Sequence, residues 1–261
     1  MLGRKSSLFT ALLAASTVST TTMGQTTIIQ SNTGVGCSTV CINGNCTSNC
    51  GQGSTSVTVG DNEVMKGNGD VVTRDVEEKD FTEVVSSDVD TTVRQGESFS
   101  VSVRADSNLQ DRIELIRDGG VLNVRLKNGQ YQDATLAVEI TMPDLRSLTQ
   151  NGAATLHFTG FDQSSLELNV NGAGQVKGKD NMLENLVLNS RGASSLDLMS
   201  SELINAEVHV AGSAEIRLNF PDGDGRITGD VQGVSEIYYC GNPDNQVSVF
   251  GVADIQRINC S

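Results

Sequence analysis

Three sets of side chains in this 261-residue sequence have the types and spacing for chemistry. The first is acidic. Glu215, Glu236 and Asp254 each lie three residues past a glycine of a repeat, and Asp197, Arg217 and Tyr238 share a neighbouring repeat position. Carboxylates stacked about 4.8 Å apart repel unless water or a cation separates them, so this ladder is expected on a solvated outward face. A polysaccharide lyase or hydrolase would need clustered carboxylates or a cation there. It would also need an aromatic platform, but Trp is absent and Tyr131, Tyr238 and Tyr239 supply the only phenols. The second set is the histidines, His157 and His209, neither beside a Cys or Ser suited to nucleophilic catalysis. Gly-x-Gly at Gly67 and Gly172 lacks the helix a nucleotide loop requires. Asp222-Gly-Asp224 imitates a calcium loop, but the alignment puts Phe220 and Val231 where carboxylates must stand, so it reads as a turn. No catalytic residue, metal ligand or cofactor is expected.

The third set is six cysteines in two groups. Cys37, Cys41, Cys46 and Cys50 crowd into 14 residues, and Cys240 and Cys260 stand near the end. For the first group a zinc site competes with disulfides, but the close ligand pairs common in structural zinc sites are missing. An even count in an exported chain favours disulfides, with three possible connectivities among the four. Cys240 and Cys260 are expected to bond to each other.

Export follows from the first 24 residues. Arg4 and Lys5 precede a short apolar run from Leu8 to Val18, and Thr22-Met23-Gly24 suits cleavage before Gln25. The run is too short to span a bilayer, and the end at Asn259-Cys260-Ser261 lacks the apolar tail of a lipid-anchor signal. A secreted, extracellular or surface-held chain with no transmembrane segment is therefore expected. Removing the signal shifts the net charge from −14 to −16, which disfavours nucleic acid and anionic membranes.

The elements that would carry these residues are strands. Residues 25–54 are rich in Ser, Thr, Asn, Gly and Cys and read as a cross-linked leader, and residues 55–261 as the main domain. Residues 98–104, 121–127 and 136–142 alternate apolar and polar, with Gln95-Gly96, Asp118-Gly119-Gly120 and Asn128-Gly129 between or before them. They predict half-buried strands in an antiparallel arrangement. Leu109–Ile116 is the one short helical candidate. From Leu145 the chain repeats about Gly152, Gly172, Gly192, Gly212, Gly233 and Gly251, spaced 20, 20, 20, 21 and 18 residues apart. Four residues past each comes Leu156, Val176, Leu196, Ile216, Ile237 or Ile255.

Such a period makes each repeat one unit that buries its apolar side against its neighbours. A hairpin meander would set equivalent residues two strands apart, and a β-solenoid would set them on adjacent coils. Cys240 and Cys260, one period apart, fit the solenoid, because a disulfide needs Cα atoms within about 7 Å. The expected fold is all-β: a parallel β-helix with coils of about 20 residues and an antiparallel N-terminal portion. Glycine suits its corners, where positive φ or close backbone approach excludes a side chain.

Residues 67–74, Asp80-Phe81, Asp88 to Gly96, Ser100 to Asn108, Asp118 to Leu122, Ile140 to Leu145 and the glycine-centred repeats through Tyr238-Tyr-Cys-Gly241-Asn-Pro243 follow one another in a familiar order. The stretch from 67 to 243 resembles the GIN domain, the head domain of putative auto-transporter adhesins. The resemblance implies an exported β-helical domain and brings no functional residues with it. The chain departs from the family's Gly-Ser-Gly repeats, drifting to Gly-Ala-Ser and Gly-Val-Ser, and its cysteine-rich leader falls outside the match. The resulting expectation is a non-enzymatic, adhesin-like surface or matrix module that binds an extracellular glycan or protein. The rivals are a polysaccharide-acting enzyme and a purely structural secreted protein.

Overall fold

The computed structural model describes residues 29–33, 37–42 and 45–50 as backbone, and 64–221 and 225–260 with side chains. The signal reading of residues 1–24 and the turn at Asp222–Asp224 lie outside the described residues. The chain forms two units, Met1–Asp61 and Asn62–Ser261. In the first, the strands Ile29–Thr33, Cys37–Ile42 and Asn45–Cys50 pair antiparallel. Their register sets Cys37 opposite Cys50 and Cys41 opposite Cys46.

The second unit is all-β and is built on a 13-stranded mixed sheet. From Ser147 onward the pairings with later strands among the described residues are parallel and join equivalent repeat positions. Leu148 pairs with Leu168, Leu166 with Leu186, Ile216 with Ile237 and Ile237 with Ile255. Strand residues alternate sides, so one set of positions points inward along every repeat. Leu156, Val176, Leu196, Ile216 and Ile237 are all buried, and Ile255 at the sheet edge is half-buried. Each fully buried aliphatic side chain contributes roughly 1.5–3 kcal/mol relative to exposure.

The inner columns are filled by matched sizes. Gly178 stands over the Phe158 ring, and a Cβ there would meet Phe158, Leu198 and Ser201. Polar residues inside have partners: Asn181 donates to the Phe158 carbonyl and to Ser201 Oγ at 2.8 Å, and accepts from the Phe161 amide at 3.0 Å. The turns between the two inner columns close on glycine. Gly192 has φ +119°, and a Cβ on it would run into the Gly172 carbonyl oxygen beneath, so both backbone angle and space exclude a side chain.

The glycine spacing does not reveal the first repeat. Glu83–Ser87 pairs in parallel with Ser147–Gly152, and Asp90–Gln95 with Thr155–Thr159. Between them Asp88 adopts φ +58° and takes the turn position beneath Gly152. Its amide donates to the Asn151 carbonyl, and its carboxylate accepts from the Ala153 amide. Asp tolerates this left-handed conformation better than most residues, which is how a repeat turns without glycine.

The strands of residues 96–146 extend the same sheet beyond Glu83–Ser87 and Asp90–Gln95. Val121–Leu126 runs parallel to Glu83–Ser87 and antiparallel to Ile113–Asp118. Leu136–Met142 runs parallel to Asp90–Gln95 and antiparallel to Ser100–Asp106, which pairs antiparallel with Val71–Val76. Of the strands expected as an antiparallel group, Ser100–Asp106 is antiparallel to both neighbours, whereas Val121–Leu126 and Leu136–Met142 are each antiparallel on one side and parallel on the other, which makes the sheet mixed. The helical candidate Leu109–Ile116 is corrected: Gln110–Arg112 is one 3-10 turn, and Ile113–Asp118 is a strand. Ile113 is buried opposite Leu126, so pairing overrides the local pattern.

At the C-terminal side Cys240 and Cys260 form a disulfide with Cα atoms 5.1 Å apart. Among the described residues Asp244–Arg257 is the last strand and pairs only with Arg226–Gly241.

Candidate binding faces

Side chains that point away from the core form two arrays of aligned positions. On the strand before each glycine turn, Thr149, Asn169, Asn189, His209, Asp230 and Ser248 occupy one position of successive repeats. Strand register joins Thr149 to Asn169, Asn169 to Asn189, His209 to Asp230, and Asp230 to Ser248. Neighbouring repeats link through amides: Asn171 Nδ2 donates to Asn151 Oδ1 at 3.0 Å, Asn189 to Asn169 at 2.9 Å and Asn205 to Asn185 at 3.1 Å. Further amide hydrogens are used within the chain: Asn169 Nδ2 donates to Glu167, Asn151 Nδ2 to Ser87 Oγ and Asn185 Nδ2 to the Ser164 carbonyl. An open concavity of about 440 Å³ lies along this array, with Asn185, Asn205, Glu207, Arg226, Thr228 and Asp244 on its walls.

His209 is the one titratable ring in this array. Its Nδ1 is 2.6 Å from Asp230 Oδ1 and its Nε2 is 3.1 Å from Glu207 Oε1. Both nitrogens face carboxylates, which favours the protonated ring. The hydrogen bond to Asp230 raises the His209 pKa above its ordinary value and outweighs partial burial, and Glu207 adds to it. Asp230 is lowered in turn, by His209 first and then by Gln232. From the sequence alone His209 is a candidate for a catalytic triad or a histidine metal site, and neither is expected. The informative signal was Glu207 two residues before it and Asp230 one 21-residue repeat after it.

The second array lies on the strand after each glycine. Its first position holds Thr155, Gln175, Ser195, Glu215, Glu236 and Asp254, and its second holds His157, Lys177, Asp197, Arg217, Tyr238 and Gln256. The carboxylates of Glu215, Glu236 and Asp254 do fall in register. Each accepts from a residue two places along its own strand: Glu215 from Arg217 at 2.9–3.0 Å, Glu236 from the Tyr238 hydroxyl at 3.0 Å, and Asp254 from Gln256. The Arg217 guanidinium also lies 5.7 Å from the Tyr238 ring centroid. The hydrogen bond to Glu236 raises the Tyr238 pKa, with smaller contributions from burial and nearby carboxylates. His157 is lowered, first by burial and then by Lys177. The carboxylates of Glu215, Glu236 and Asp254 are therefore satisfied within their own strands.

Among the described residues no group of three or more His, Cys, Asp or Glu is placed to hold a metal ion. No helix among them is long and apolar enough to cross a membrane. The residues singled out in the sequence fall in separate places: the glycines at the turns, the acidic triplet on the second array, and the bonded Cys240 and Cys260 at the last two repeats. The side chains of Cys37, Cys41, Cys46 and Cys50 lie outside the described residues.

A family model described as "Putative auto-transporter adhesin, head GIN domain" matches residues 80–219. The crystal structure of a putative adhesin from Bacteroides fragilis is 18% identical over 74% of this chain and 100% of its own, with a TM-score of 0.56. A putative lipid binding protein from Parabacteroides distasonis is 19% identical over 75% of this chain and 100% of its own, with a TM-score of 0.49. A putative adhesin from Parabacteroides merdae is 16% identical over 74% of this chain and 98% of its own, at 0.40. At these identities the first of the three shows a shared fold and nothing of function. No curated protein matches the chain in sequence.

Proposed function

Because the chain belongs to the family of putative auto-transporter adhesin head GIN domains, we propose that it is an exported, non-enzymatic module that binds an extracellular macromolecule through flat, repeated faces. In this reading residues 1–24 are a signal peptide, 25–54 a disulfide-bonded leader and 55–261 a β-solenoid whose coils are the 20-residue repeats. Support for the solenoid comes from the parallel in-register pairing of equivalent positions from Glu83 through Arg257.

One observation carries the binding reading: outward polar groups recur at strand spacing, about 4.8 Å, on two adjoining strands of every repeat. A rigid row of amides, hydroxyls and charges at a fixed interval matches a polymer that repeats its own polar groups. It meets several of them without further loss of conformational freedom, which lowers the ordering cost of association. The first array suits a neutral or amide-bearing glycan, since its amides offer donors and acceptors in alternation. The carboxylates of the second array already have partners on their own strands, so binding there is expected to be weaker and more dependent on salt.

A glycan array probed with the mature chain, with and without calcium, and paired with assays for reducing ends and unsaturated products, tests the proposal. Retention without turnover, lost on replacing Asn169 and Asn189 together by Ala, is the expected outcome. Product release from any polysaccharide would replace the binding module with an enzyme.

A further inference from the structure

We infer that the last strand, Asp244–Arg257, is a docking edge for a second copy of this chain, which pairs with it antiparallel about a two-fold axis through Gly251. Four observations lead there, the first being the exposed edge itself. This 14-residue strand pairs with Arg226–Gly241 on one side, and among the described residues nothing pairs with it on the other. The residues that follow turn back: Ile258 N donates to the Tyr239 carbonyl at 2.8 Å, and Cys260 is bonded to Cys240. They fix the strand and leave its free edge uncovered.

Second, core positions are open there. Val247, Val249, Ala253 and Ile255 repeat the inward positions of Gly229, Val231, Ser235 and Ile237. Val231 and Ile237 are fully buried, whereas Val249 is 43% exposed because no later strand covers it.

Third, the outward positions beside this edge carry large apolar side chains only here. The position after each glycine holds Ala153, Ala173, Ala193 and Ser213, and then Val234 and Val252. The position before it holds Asn151, Asn171, Arg191, Ala211 and Gln232, and then Phe250. Phe250 is 66% exposed, Val252 71% and Val234 63%. Proteins commonly protect free edges with Lys, Pro or an inward charge, and residues 245–253 carry no charge and no Pro.

Fourth, the edge is self-complementary. With Gly251 on the axis, Val247 faces the partner's Ile255, Val249 faces the partner's Ala253 and Phe250 faces the partner's Val252. Inward positions meet inward ones, as the alternation of strand side chains demands. The charged Asp254 faces the partner's Ser248 and Arg257 faces the partner's Asn245, so no like charges oppose one another. A two-fold contact needs this pairing of one patch with itself. The turn at Gly251 lies on the axis, so the strand before the turn in one copy lies along the strand after it in the other.

The chain as a whole repels its copy, with a net charge of −14. Association is therefore held by backbone pairing and apolar contact and strengthens as salt is raised. Sedimentation equilibrium on the full mature chain tests the inference, with a dimer expected at concentrations on the order of 100 μM. Ser248→Asp sets two carboxylate pairs against each other and is expected to weaken the dimer roughly tenfold. Ser248→Lys is expected to tighten it, and adding Asp254→Lys to Ser248→Asp to restore it. All three changes sit on outward positions, so the melting temperature of the dilute monomer serves as the control for folding. A chain that stays monomeric at that concentration overturns the inference, even if hydrogen exchange finds 245–256 protected by its own N-terminal residues. A dimer indifferent to Ser248→Asp, or one the charge exchange fails to restore, overturns it equally.

Discussion

His209 shows how an isolated histidine becomes a site through its neighbours. Its ring is held between Asp230 and Glu207, while His157 lies beside Lys177 and loses part of its water shell. The two rings titrate in opposite directions from the ordinary value of 6.5. Because the folded-state pKa of His209 is raised, its contribution to stability is complete below about pH 6.5 and is lost as pH climbs through the folded value. Asp230 has the opposite sign, and its contribution fades as pH falls below the carboxylate's ordinary 3.8. The pair therefore helps most between those limits. Proton NMR titration of the two C2 protons is expected to place His209 above His157, and Asp230→Asn to bring His209 down toward it. If both rings titrate together, the contact with Asp230 is absent in solution. At this scale the sequence was legible where a type excludes alternatives, as at Gly192, whose turn leaves no space for a Cβ. It was illegible at Asp88, which makes the same turn with a residue that also occurs all over the surface.

At the scale of the element, the inner column is the part the sequence displays most openly. Leu196 and Ile216 sit in the middle of a stack between fixed neighbours and are 1% and 0% exposed. Truncating either to Ala leaves a cavity the surroundings cannot fill, at a cost of roughly 2–5 kcal/mol. Glu215→Gln, one residue away on the outer side, is expected to cost within about half a kcal/mol, as an ordinary surface change does. Urea midpoints rank these directly, and the reverse order would invert the assignment of sides. The strand Ile113–Asp118 is set by the two-residue turn Gly119-Gly120, which pairs Asp118 with Val121, but the short helical pattern of Leu109–Ile116 masked that local signal. The parallel contact of Leu136–Met142 with Asp90–Gln95 was hidden for a different reason, since neither segment carries a mark of the other.

At the scale of the whole molecule, the arrangement that no period announced is the extension of the sheet by residues 96–146, inserted between Asp90–Gln95 and the first glycine repeat. The repeats themselves were visible because a single position had to stay apolar in every copy. The leader is a separate unit, and its backbone register places Cys37 opposite Cys50 and Cys41 opposite Cys46. Opposed residues of an antiparallel pair lie about 4.5–5.5 Å apart, inside the range a disulfide requires. Non-reducing peptide mapping is expected to find Cys37 linked to Cys50 and Cys41 to Cys46. Any link from the leader to Cys240 or Cys260 would contradict both this register and the bonded C-terminal pair. The path of the chain also sets an order in time. Contacts between neighbouring repeats close loops of about 20 residues, whereas Asn151 reaches Ser87 across 64. The longer closure costs roughly 1 kcal/mol more in chain entropy, before the intervening strands have found their own partners. Loop closure alone therefore favours contacts between neighbouring repeats over the docking of Glu83–Ser87 on Ser147–Gly152, and it favours the hairpin of Ile113–Asp118 and Val121–Leu126 over both.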